Sequence, residues 1–212
     1  MKSVIFVSGI GTGIGKTVVS AILTEALEAD YWKPVQAGDL ENSDSVFIQK
    51  NVSNPACVIH PERYRLRTAA SPHYAAEIDD VEIKKENFIV PVTTNNIVIE
   101  TAGGVMSPLA KNFLNIDLIE YLQLPVVLVA GNYLGSINHT LLSYYALRNR
   151  NIKISGIVFS GETVKASEQY ILEHTGLPLL FSIPFLEPLN AETIAAFADS
   201  LSIKFLKNEL SR

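Results

Sequence analysis

The hydrophobic positions of the chain fall into short continuous runs that alternate with longer segments of mixed character. Runs rich in Val, Ile, Leu and Phe are typical of parallel strands that are covered on both faces of a sheet. On this basis, strands are predicted at residues 3–7, 31–35, 96–100, 125–130, 154–159 and 179–183.

The segments between these runs carry the spacing of helices. In residues 136–150 the apolar side chains recur close to every 3.6 residues, and Arg148 and Arg150 stand near the end, where cations stabilise a helix. Further helices are predicted at residues 16–28, at 165–174 with Gly176 as the stop, and through residue 201 after a capping Asn190.

The order of these elements determines the predicted architecture. Strands that alternate with helices indicate an α/β protein with an open, doubly wound, mostly parallel sheet that is flanked by helices. We expect residues 1–212 to form a single domain, and the less regular residues 42–85 to carry loops of an active site.

Composition narrows the range of partners and compartments. The net charge of −5 disfavours nucleic acids and anionic membranes, which attract basic surfaces. Cys57 is the only cysteine, so no internal disulfide can form, and we interpret it as a buried apolar group rather than a nucleophile. No apolar run approaches the roughly 20 residues of a membrane span, and no charged leader is evident. A soluble, cytoplasmic protein is the expectation.

Residues 9–17, Gly-Ile-Gly-Thr-Gly-Ile-Gly-Lys-Thr, lie between a predicted strand and a predicted helix. Backbone N–H groups in such a loop cradle phosphate, Lys16 reaches the β- and γ-phosphates, and the Thr17 hydroxyl binds Mg²⁺. Ile10 stands where the strict motif has Gly. The dinucleotide fingerprint also fails, since Ile14 and Lys16 stand where it needs its last Gly. The Gly-Lys-Thr ending therefore favours a P-loop NTPase-type fold over a merely flexible turn.

Three further polar residues are candidates for the same crevice. Glu100 ends a buried-type strand, and the carboxyl ends of parallel strands face the ligand crevice of such sheets. Asp44 follows the second strand, but its local sequence taken alone favours a turn or helix-cap residue. Lys33 lies in an apolar strand, where it either meets an anion or is exposed. Carboxylates are ligands that Mg²⁺ accepts beside phosphate.

Taken together and in order, several segments resemble the dethiobiotin synthetase family over about residues 3–190. The glycine loop occurs in many nucleotide-binding proteins, whereas Lys-Pro-Val at 33–35, Ser-Pro-His at 71–73 and Leu-Gly-Ser-Ile-Asn-His at 134–139 are more specific. The other matching pieces are Asn-Ser-Asp at 42–44, Glu-Thr-Ala-Gly-Gly at 100–104 and Ile-Pro-Phe-Leu at 183–186.

The resemblance implies a homodimeric ligase that closes the ureido ring of dethiobiotin from 7,8-diaminononanoate, CO₂ and ATP, with Mg²⁺ as cofactor. It implies that Lys33 is the catalytic lysine and that the metal ligands are Thr17, Asp44 and Glu100. The implied ATP contacts are Gly13, Ile14, Gly15, Lys16, Thr17, Val18, Asp44, Glu100, Thr101, Ala102, Gly103, Ser160, Pro184, Phe185 and Leu186. The implied substrate contacts are Thr12, Lys33, Ala37, Leu134, Gly135 and Asn138, the last three in the neighbouring subunit's site.

Three residues depart from the family pattern. Ala37 replaces a usual Ser or Thr, which removes a hydroxyl from the substrate side. Thr101 replaces a usual Gly, so the backbone there must have a negative φ. Ser160 replaces the Asn that reads adenine, and its shorter hydroxyl predicts weaker discrimination between bases.

Two other functions remain open. A partition- or positioning-type ATPase switch shares the predicted fold, but many such proteins carry a lysine where this chain has Gly11, and the negative charge disfavours their basic surfaces. A different amide-forming ligase would differ in the substrate segment, and residues 134–139 favour the biotin pathway. His73 and His139 are candidate proton carriers, although packing or capping is the preferred interpretation. For residues 134–139 the alternative is a plain helix start with Ser136 as cap.

Overall fold

A parallel sheet forms the centre of the computed structural model, which describes residues 2–211. The strands are β1 (Val4–Gly9), β2 (Ala29–Trp32), β3 (Val35–Ala37), β4 (Ile59–His60), β5 (Tyr64–Leu66), β6 (Asn96–Gly104), β7 (Pro108–Ala110), β8 (Phe113–Leu114), β9 (Val126–Gly131), β10 (Ile154–Ser160) and β11 (Leu179–Ile183). Within residues 2–211 the sheet has seven strands in the order β11-β10-β9-β1-β6-β2-β4. Two smaller pairs accompany it, β3 with β5 (parallel) and β7 with β8 (antiparallel).

Helices connect the strands, and two of them begin or end at the caps predicted from the sequence. Asn190 caps the helix Ala191–Ser200 (α7) by accepting a hydrogen bond from the Thr193 N–H at 3.0 Å, and Gly176 ends the helix Lys165–Thr175 (α6) with a left-handed φ of 65°. None of the helices in the described part of the chain has the length and apolar character to cross a membrane. The helices are α1 (Lys16–Ala26), α2 (Asp44–Asn51), α3 (Pro72–Ile78), α4 (Asn115–Leu122), α5 (Ser136–Asn149), α6 (Lys165–Thr175), α7 (Ala191–Ser200) and α8 (Ile203–Ser211).

Successive residues of the central strands serve opposite faces of the sheet. Ile5 and Val7 of β1 belong to an apolar cluster that includes residues of α1 and α7, whereas Phe6 belongs to a second cluster with residues of α3 and α4. Helices therefore cover both faces, which explains why the strands are continuously apolar. The doubly wound α/β architecture expected from the sequence is confirmed.

The structure corrects the prediction of one strand over residues 31–35. Strand β2 ends at Trp32, and β3 begins at Val35 in a separate pair. Lys33 and Pro34 lie between them, because proline has no N–H for the ladder of a central strand. Lys33 is thereby released from the sheet and faces the crevice.

The sequence pattern did not predict several short elements, and it ended one strand too early. The segment 42–85 contains α2, β4, β5 and α3, all too brief to show a clear period in the sequence. Helices α4 and α8 were also not predicted. Strand β6 continues beyond Glu100 to Gly104, so Glu100 lies inside the strand rather than at its end.

Candidate active site

The glycine loop between β1 and α1 is shaped to hold an anion. Gly13 and Gly15 have positive φ values of 71° and 85°, and Gly15 caps α1 without any side-chain hydrogen bond. The first N–H groups of a helix have no partner within it, so those of α1 are available to phosphate oxygens. The Lys16 ammonium folds over the loop and donates to the Gly11 carbonyl at 2.8 Å.

The electrostatics of the loop suit a negatively charged ligand. Burial lowers the pKa of Lys16 to about 8; nearby Glu100 opposes this shift, and Lys33 adds to it. A phosphate beside this ammonium would compensate for the lost solvation. Lys16 is thus a buried cation that an anionic ligand would stabilise.

Four polar side chains from separate segments meet beside the loop. The Thr17 hydroxyl lies 2.7 Å from Asp44 Oδ1 and 3.0 Å from Glu100 Oε1, within hydrogen-bond reach of both. The Lys33 ammonium contacts Asp44 Oδ2 and lies 3.6 Å from Glu100 Oε1. Lys33 and Glu100 are 5% and 1% exposed. The structure therefore brings together the four residues that the sequence singled out.

These positions resolve two alternatives left open by the sequence. Lys33 is buried against carboxylates, not exposed on a strand. Asp44 is the first residue of α2, and the cap is Ser43, whose hydroxyl accepts from the Val46 N–H. Asp44 is therefore free to direct its carboxylate at Thr17 and Lys33.

The donor chemistry at this point fits Mg²⁺. Asp44, Glu100 and Thr17 offer only oxygen atoms, which hard divalent cations prefer. Within residues 2–211 no three His, Cys, Asp or Glu side chains form a metal cluster. A cation here would accordingly complete its shell with phosphate and water oxygens, the usual arrangement for Mg²⁺ beside a nucleotide.

The end of β6 forms a tight turn beside the loop. The Thr101 hydroxyl is buried and donates to Ser8 Oγ at 3.0 Å, and among the described residues the positive φ falls on Gly103, at 81°, not on Thr101. The predicted negative φ at Thr101 is confirmed. Asn115 fastens the turn, since its amide donates to the carbonyls of Ala102 and Gly104 at 2.7 and 2.8 Å. Sequence reasoning missed Asn115, because nothing in its local pattern marks such a contact.

A cleft of about 400 Å³ adjoins the glycine loop on the side of β10 and β11. Ser160 lies against the loop, since any side chain at Gly15 would collide with the Ser160 hydroxyl. Ser160 is thus at the loop end of the cleft. The predicted nucleotide contacts that line it are Gly13, Ile14, Gly15, Val18, Ser160, Pro184, Phe185 and Leu186.

A second cleft of about 440 Å³ lies on the other side of the acidic cluster. It contains three residues predicted for the substrate, Thr12, Lys33 and Ala37. Gln36 also lines this cleft and was not predicted. Its buried Oε1 has no hydrogen-bond partner among residues 2–211. The remaining lining residues are Asp44, Ala69, Ala70, Ser71, Pro72, Ala102, Gly103 and Ser107.

The segment 134–138 does not line either of these clefts within the same chain. Leu134, Gly135 and Asn138 line a separate groove of about 490 Å³ at the start of α5, and Leu134 is fully exposed. Gly135 caps α5 with a φ of 100°, whereas Ser136 is buried inside the first turn. The prediction that Ser136 caps this helix is therefore wrong, since the cap is Gly135.

Three other candidate residues lie outside the clefts. His73 and His139 are exposed, and their Nδ1 atoms lie 3.0 Å from the Ser71 hydroxyl and 2.8 Å from the Tyr133 hydroxyl. Cys57 is only partly buried, so the expectation that it is a buried group is wrong. Burial nevertheless raises the pKa of its thiol to about 11, with Asp30 and Glu25 adding to the effect. The protonated thiol is a poor nucleophile.

Known proteins similar to this chain fall into two groups. A family model described as an AAA domain matches residues 3–193. The ATP-dependent dethiobiotin synthetase of Cytophaga hutchinsonii is 47% identical over 197 residues, which are 92% of this chain and 95% of that protein. The enzyme of the same name from Christiangramia forsetii is 53% identical over 166 residues, or 78% of this chain and 80% of that protein.

The solved structures that match are more distant. A ParA family ATPase from Chlorobium tepidum has a TM-score of 0.61 at 15% identity and covers 99% of this chain and 96% of its own. The cell division ATPase MinD of Pyrococcus furiosus has a TM-score of 0.52 at 17% identity, covering 97% and 100%. At this identity the likeness concerns the fold alone, and it confirms the predicted P-loop architecture.

Proposed function

Because the chain belongs to the dethiobiotin synthetase family, we propose that it closes the ureido ring of dethiobiotin from 7,8-diaminononanoate, CO₂ and ATP. The observation that carries this proposal is the cluster of Lys33, Asp44, Glu100 and Thr17 between two clefts. One cleft adjoins the glycine loop, and the other contains Lys33. The reaction joins carbon to nitrogen twice at the expense of ATP, so the protein would be a cyclo-ligase.

The nucleotide would lie along the glycine loop with its base in the 400 Å³ cleft. The N–H groups at the start of α1 and the Lys16 ammonium would hold the β- and γ-phosphates. Pro184, Phe185 and Leu186 supply apolar surface on the base side. In this arrangement the terminal phosphate would lie at the acidic cluster, next to Lys33.

Thr17, Asp44 and Glu100 would hold Mg²⁺, whose charge, when it is bound, neutralises the phosphate oxygens during transfer. Thr17 is the first candidate, because its hydroxyl follows the P-loop lysine directly. Asp44 and Glu100 would bring two negative charges to the same point. The side chains are already within hydrogen-bond distance of one another, so little rearrangement of the backbone is required.

The chemistry needs three steps. One amine of the diamine attacks CO₂ and loses a proton, which gives a carbamate. A carbamate oxygen then attacks the γ-phosphorus, ADP leaves, and a carbamic–phosphoric anhydride remains. The second amine attacks the carbonyl carbon, phosphate leaves with the bonding electrons, and a proton is lost as the ring closes.

The chain's own residues would act by position and charge in these steps. The Lys33 ammonium faces the cleft that would hold the carbamate, so it can stabilise negative charge on the carbamate and on the transferred phosphoryl group. No side-chain nucleophile takes part. Ala37 lines this cleft, so any donor the substrate needs there must come from another residue or from the backbone.

We further propose that two subunits complete each site. Leu134, Gly135 and Asn138 line a groove apart from Lys33, and the exposed Leu134 is suited to an interface. At the start of α5 the N–H groups of Ser136 and His139 donate to the carbonyls of Tyr133 and Gly135. The N–H groups of Ile137 and Asn138, which have no acceptor within the first turn, could hold the carboxylate of the diamine. A two-fold dimer would bring this segment of one chain to the Lys33 cleft of the other.

Two competing functions receive less support. The likeness to partition and positioning ATPases concerns the fold alone, whereas the dethiobiotin synthetases are similar across most of the chain in sequence. A different amide-forming ligase would need another substrate in the Lys33 cleft. Neither alternative accounts for the segment 134–139.

The deciding experiment is ADP release by the purified protein with ATP and Mg²⁺, in the presence and absence of diaminononanoate and bicarbonate. We expect rapid release only with all components and dethiobiotin as product by mass spectrometry. Equal ADP release without the diamine would favour a switch ATPase. Release that depends on another amine-bearing acid would favour the other ligase.

A further inference from the structure

The two carboxylate oxygens of Glu100 have different partners. Glu100 Oε1 lies 3.0 Å from the Thr17 hydroxyl and 3.6 Å from the Lys33 ammonium, on the side of the proposed metal site. Glu100 Oε2 accepts a hydrogen bond from the Tyr31 hydroxyl at 3.0 Å. One oxygen therefore faces the site, and the other is held by a phenol.

Tyr31 is a firmly placed donor. It lies in β2, fully buried, and its backbone pairs in register with Val98 of β6, two residues before Glu100. Among the described residues, the hydroxyl has one side-chain hydrogen-bond partner, which is Glu100 Oε2.

The number of oxygens that a carboxylate offers influences which cation it selects. Mg²⁺ requires a compact octahedral shell at about 2.0–2.1 Å, whereas Ca²⁺ takes six to eight oxygens at about 2.3–2.6 Å and readily accepts bidentate carboxylates. A carboxylate held to one free oxygen therefore suits Mg²⁺. One with both oxygens free gives Ca²⁺ the additional ligand that it prefers.

We propose that Tyr31 is a positioning residue that restricts Glu100 to a single metal-facing oxygen and so makes the site selective for Mg²⁺ over Ca²⁺. The inference rests on the proposed function, since it requires Glu100 to bind the metal. The family resemblance does not include this role. It follows from the unequal partners of the two Glu100 oxygens.

The test is a Tyr31→Phe variant, which removes the hydroxyl and keeps the ring. Mn²⁺ bound with ADP is followed by electron paramagnetic resonance while Mg²⁺ or Ca²⁺ displaces it. We expect the preference for Mg²⁺ over Ca²⁺ to fall by about tenfold, the lower range for loss of an outer hydrogen bond at a metal site. Tyr144→Phe is the matched control, because that buried tyrosine donates to the Thr175 carbonyl instead.

The outcomes separate this inference from the proposed function. An unchanged preference in Tyr31→Phe, or a lower melting temperature with an unchanged preference, overturns the inference alone. Equal Mn²⁺ binding by the wild type and Glu100→Gln removes Glu100 from the metal site, and the inference with it. If Tyr31→Phe does not fold, crystals with ADP and either Mg²⁺ or Ca²⁺ decide. With Mg²⁺, Glu100 must bind through Oε1 while Tyr31 keeps Oε2, and bidentate binding overturns the proposal.

Discussion

The ammonium of Lys33 is in direct contact with Asp44 Oδ2, at the point where two carboxylates converge. In this arrangement a lysine supplies the positive charge that the acidic residues require. The same carboxylates are the proposed ligands of Mg²⁺. Lys33 and a divalent cation would therefore compete for Asp44, and binding of the metal would release Lys33 toward the cleft proposed for the substrate.

Replacement of Lys33 by Met should separate chemistry from metal binding. We expect turnover to fall by about 10²–10³, the usual effect of removing one charge-stabilising donor from an active site. Mn²⁺ should bind at least as tightly in the presence of ADP, because its competitor is gone. Steady-state kinetics and paramagnetic resonance measure the two effects, and weaker Mn²⁺ binding would contradict the competition.

Glu100→Gln keeps the shape of the side chain and removes its charge. The Tyr31 hydroxyl can still donate to the amide oxygen, so the fold should be preserved. We expect activity to fall by about two to three orders of magnitude and the Mg²⁺ requirement to rise. Glu120→Gln is the control, since Glu120 is an exposed residue of α4 whose carboxylate, among the described residues, pairs with Arg150 alone. An unchanged Mg²⁺ titration would exclude Glu100 from the site.

The cleft of about 400 Å³ that we propose for the base leads to a prediction about nucleotide preference. Ser160 lies against Gly15, and it has a shorter reach than the Asn usual at this position in the family. We expect CTP and GTP to support measurable turnover, and Ser160→Asn to raise the preference for ATP by about tenfold or more. Ser160→Ala should change the preference little. A wild-type preference for ATP above about 10⁴ would indicate that backbone groups near Pro184–Leu186 read the base.

The proposed dimer can be tested by complementation. Lys33→Ala and Asn138→Ala remove groups from clefts that are separate within one chain. If each homodimer is inactive, mixed dimers should recover activity, because one of their two sites has neither lesion. Subunits with different affinity tags allow the mixed dimers to be purified. Absence of recovery in verified mixed dimers would mean that residues 134–138 act within their own chain.

The thiol of Cys57 provides a test of pH dependence. Only the thiolate reacts with iodoacetamide, and a pKa of about 11 instead of 9.0 leaves roughly a hundredfold less thiolate at pH 8. Labelling should therefore be slow in the folded protein, accelerate with pH up to about 11, and become fast in urea. Cys57→Ala should retain full activity. Rapid labelling of the folded protein at pH 8 would contradict the raised pKa.

Features of the fold that depend on neighbouring residues in the chain could be predicted from the sequence. The glycine loop and the caps at Gly176 and Asn190 depend on neighbouring residues, so their patterns predicted them. Lys33 and Glu100 were recognised as candidates because a charged residue in an apolar run needs an explanation. Their actual separation could not be predicted, since it depends on the pairing of strands far apart in the sequence.

The features missed in the sequence are those that depend on register and packing. The contact of Tyr31 with Glu100 requires β2 and β6 to pair with Tyr31 opposite Val98. Asn115 reaches the carbonyls of Ala102 and Gly104 only after β7 and β8 have folded back. Hydrophobic periodicity indicates which face of a strand or helix a residue occupies, but it does not indicate which residue of the neighbouring strand lies opposite.

The hydrogen bonds of Asn115 have a consequence for how this scaffold can diverge. Its amide holds Ala102 and Gly104, and its own N–H donates to the Ser107 carbonyl at 3.0 Å, so the hairpin β7–β8 is closed at its base. Leu109 of β7 is buried in the core, so the part of the hairpin that can change in length is its exposed tip at Lys111 and Asn112. This tip is a site where evolution or an engineer could add sequence at low risk to the nucleotide site, because the closure lies between it and the backbone at Gly103.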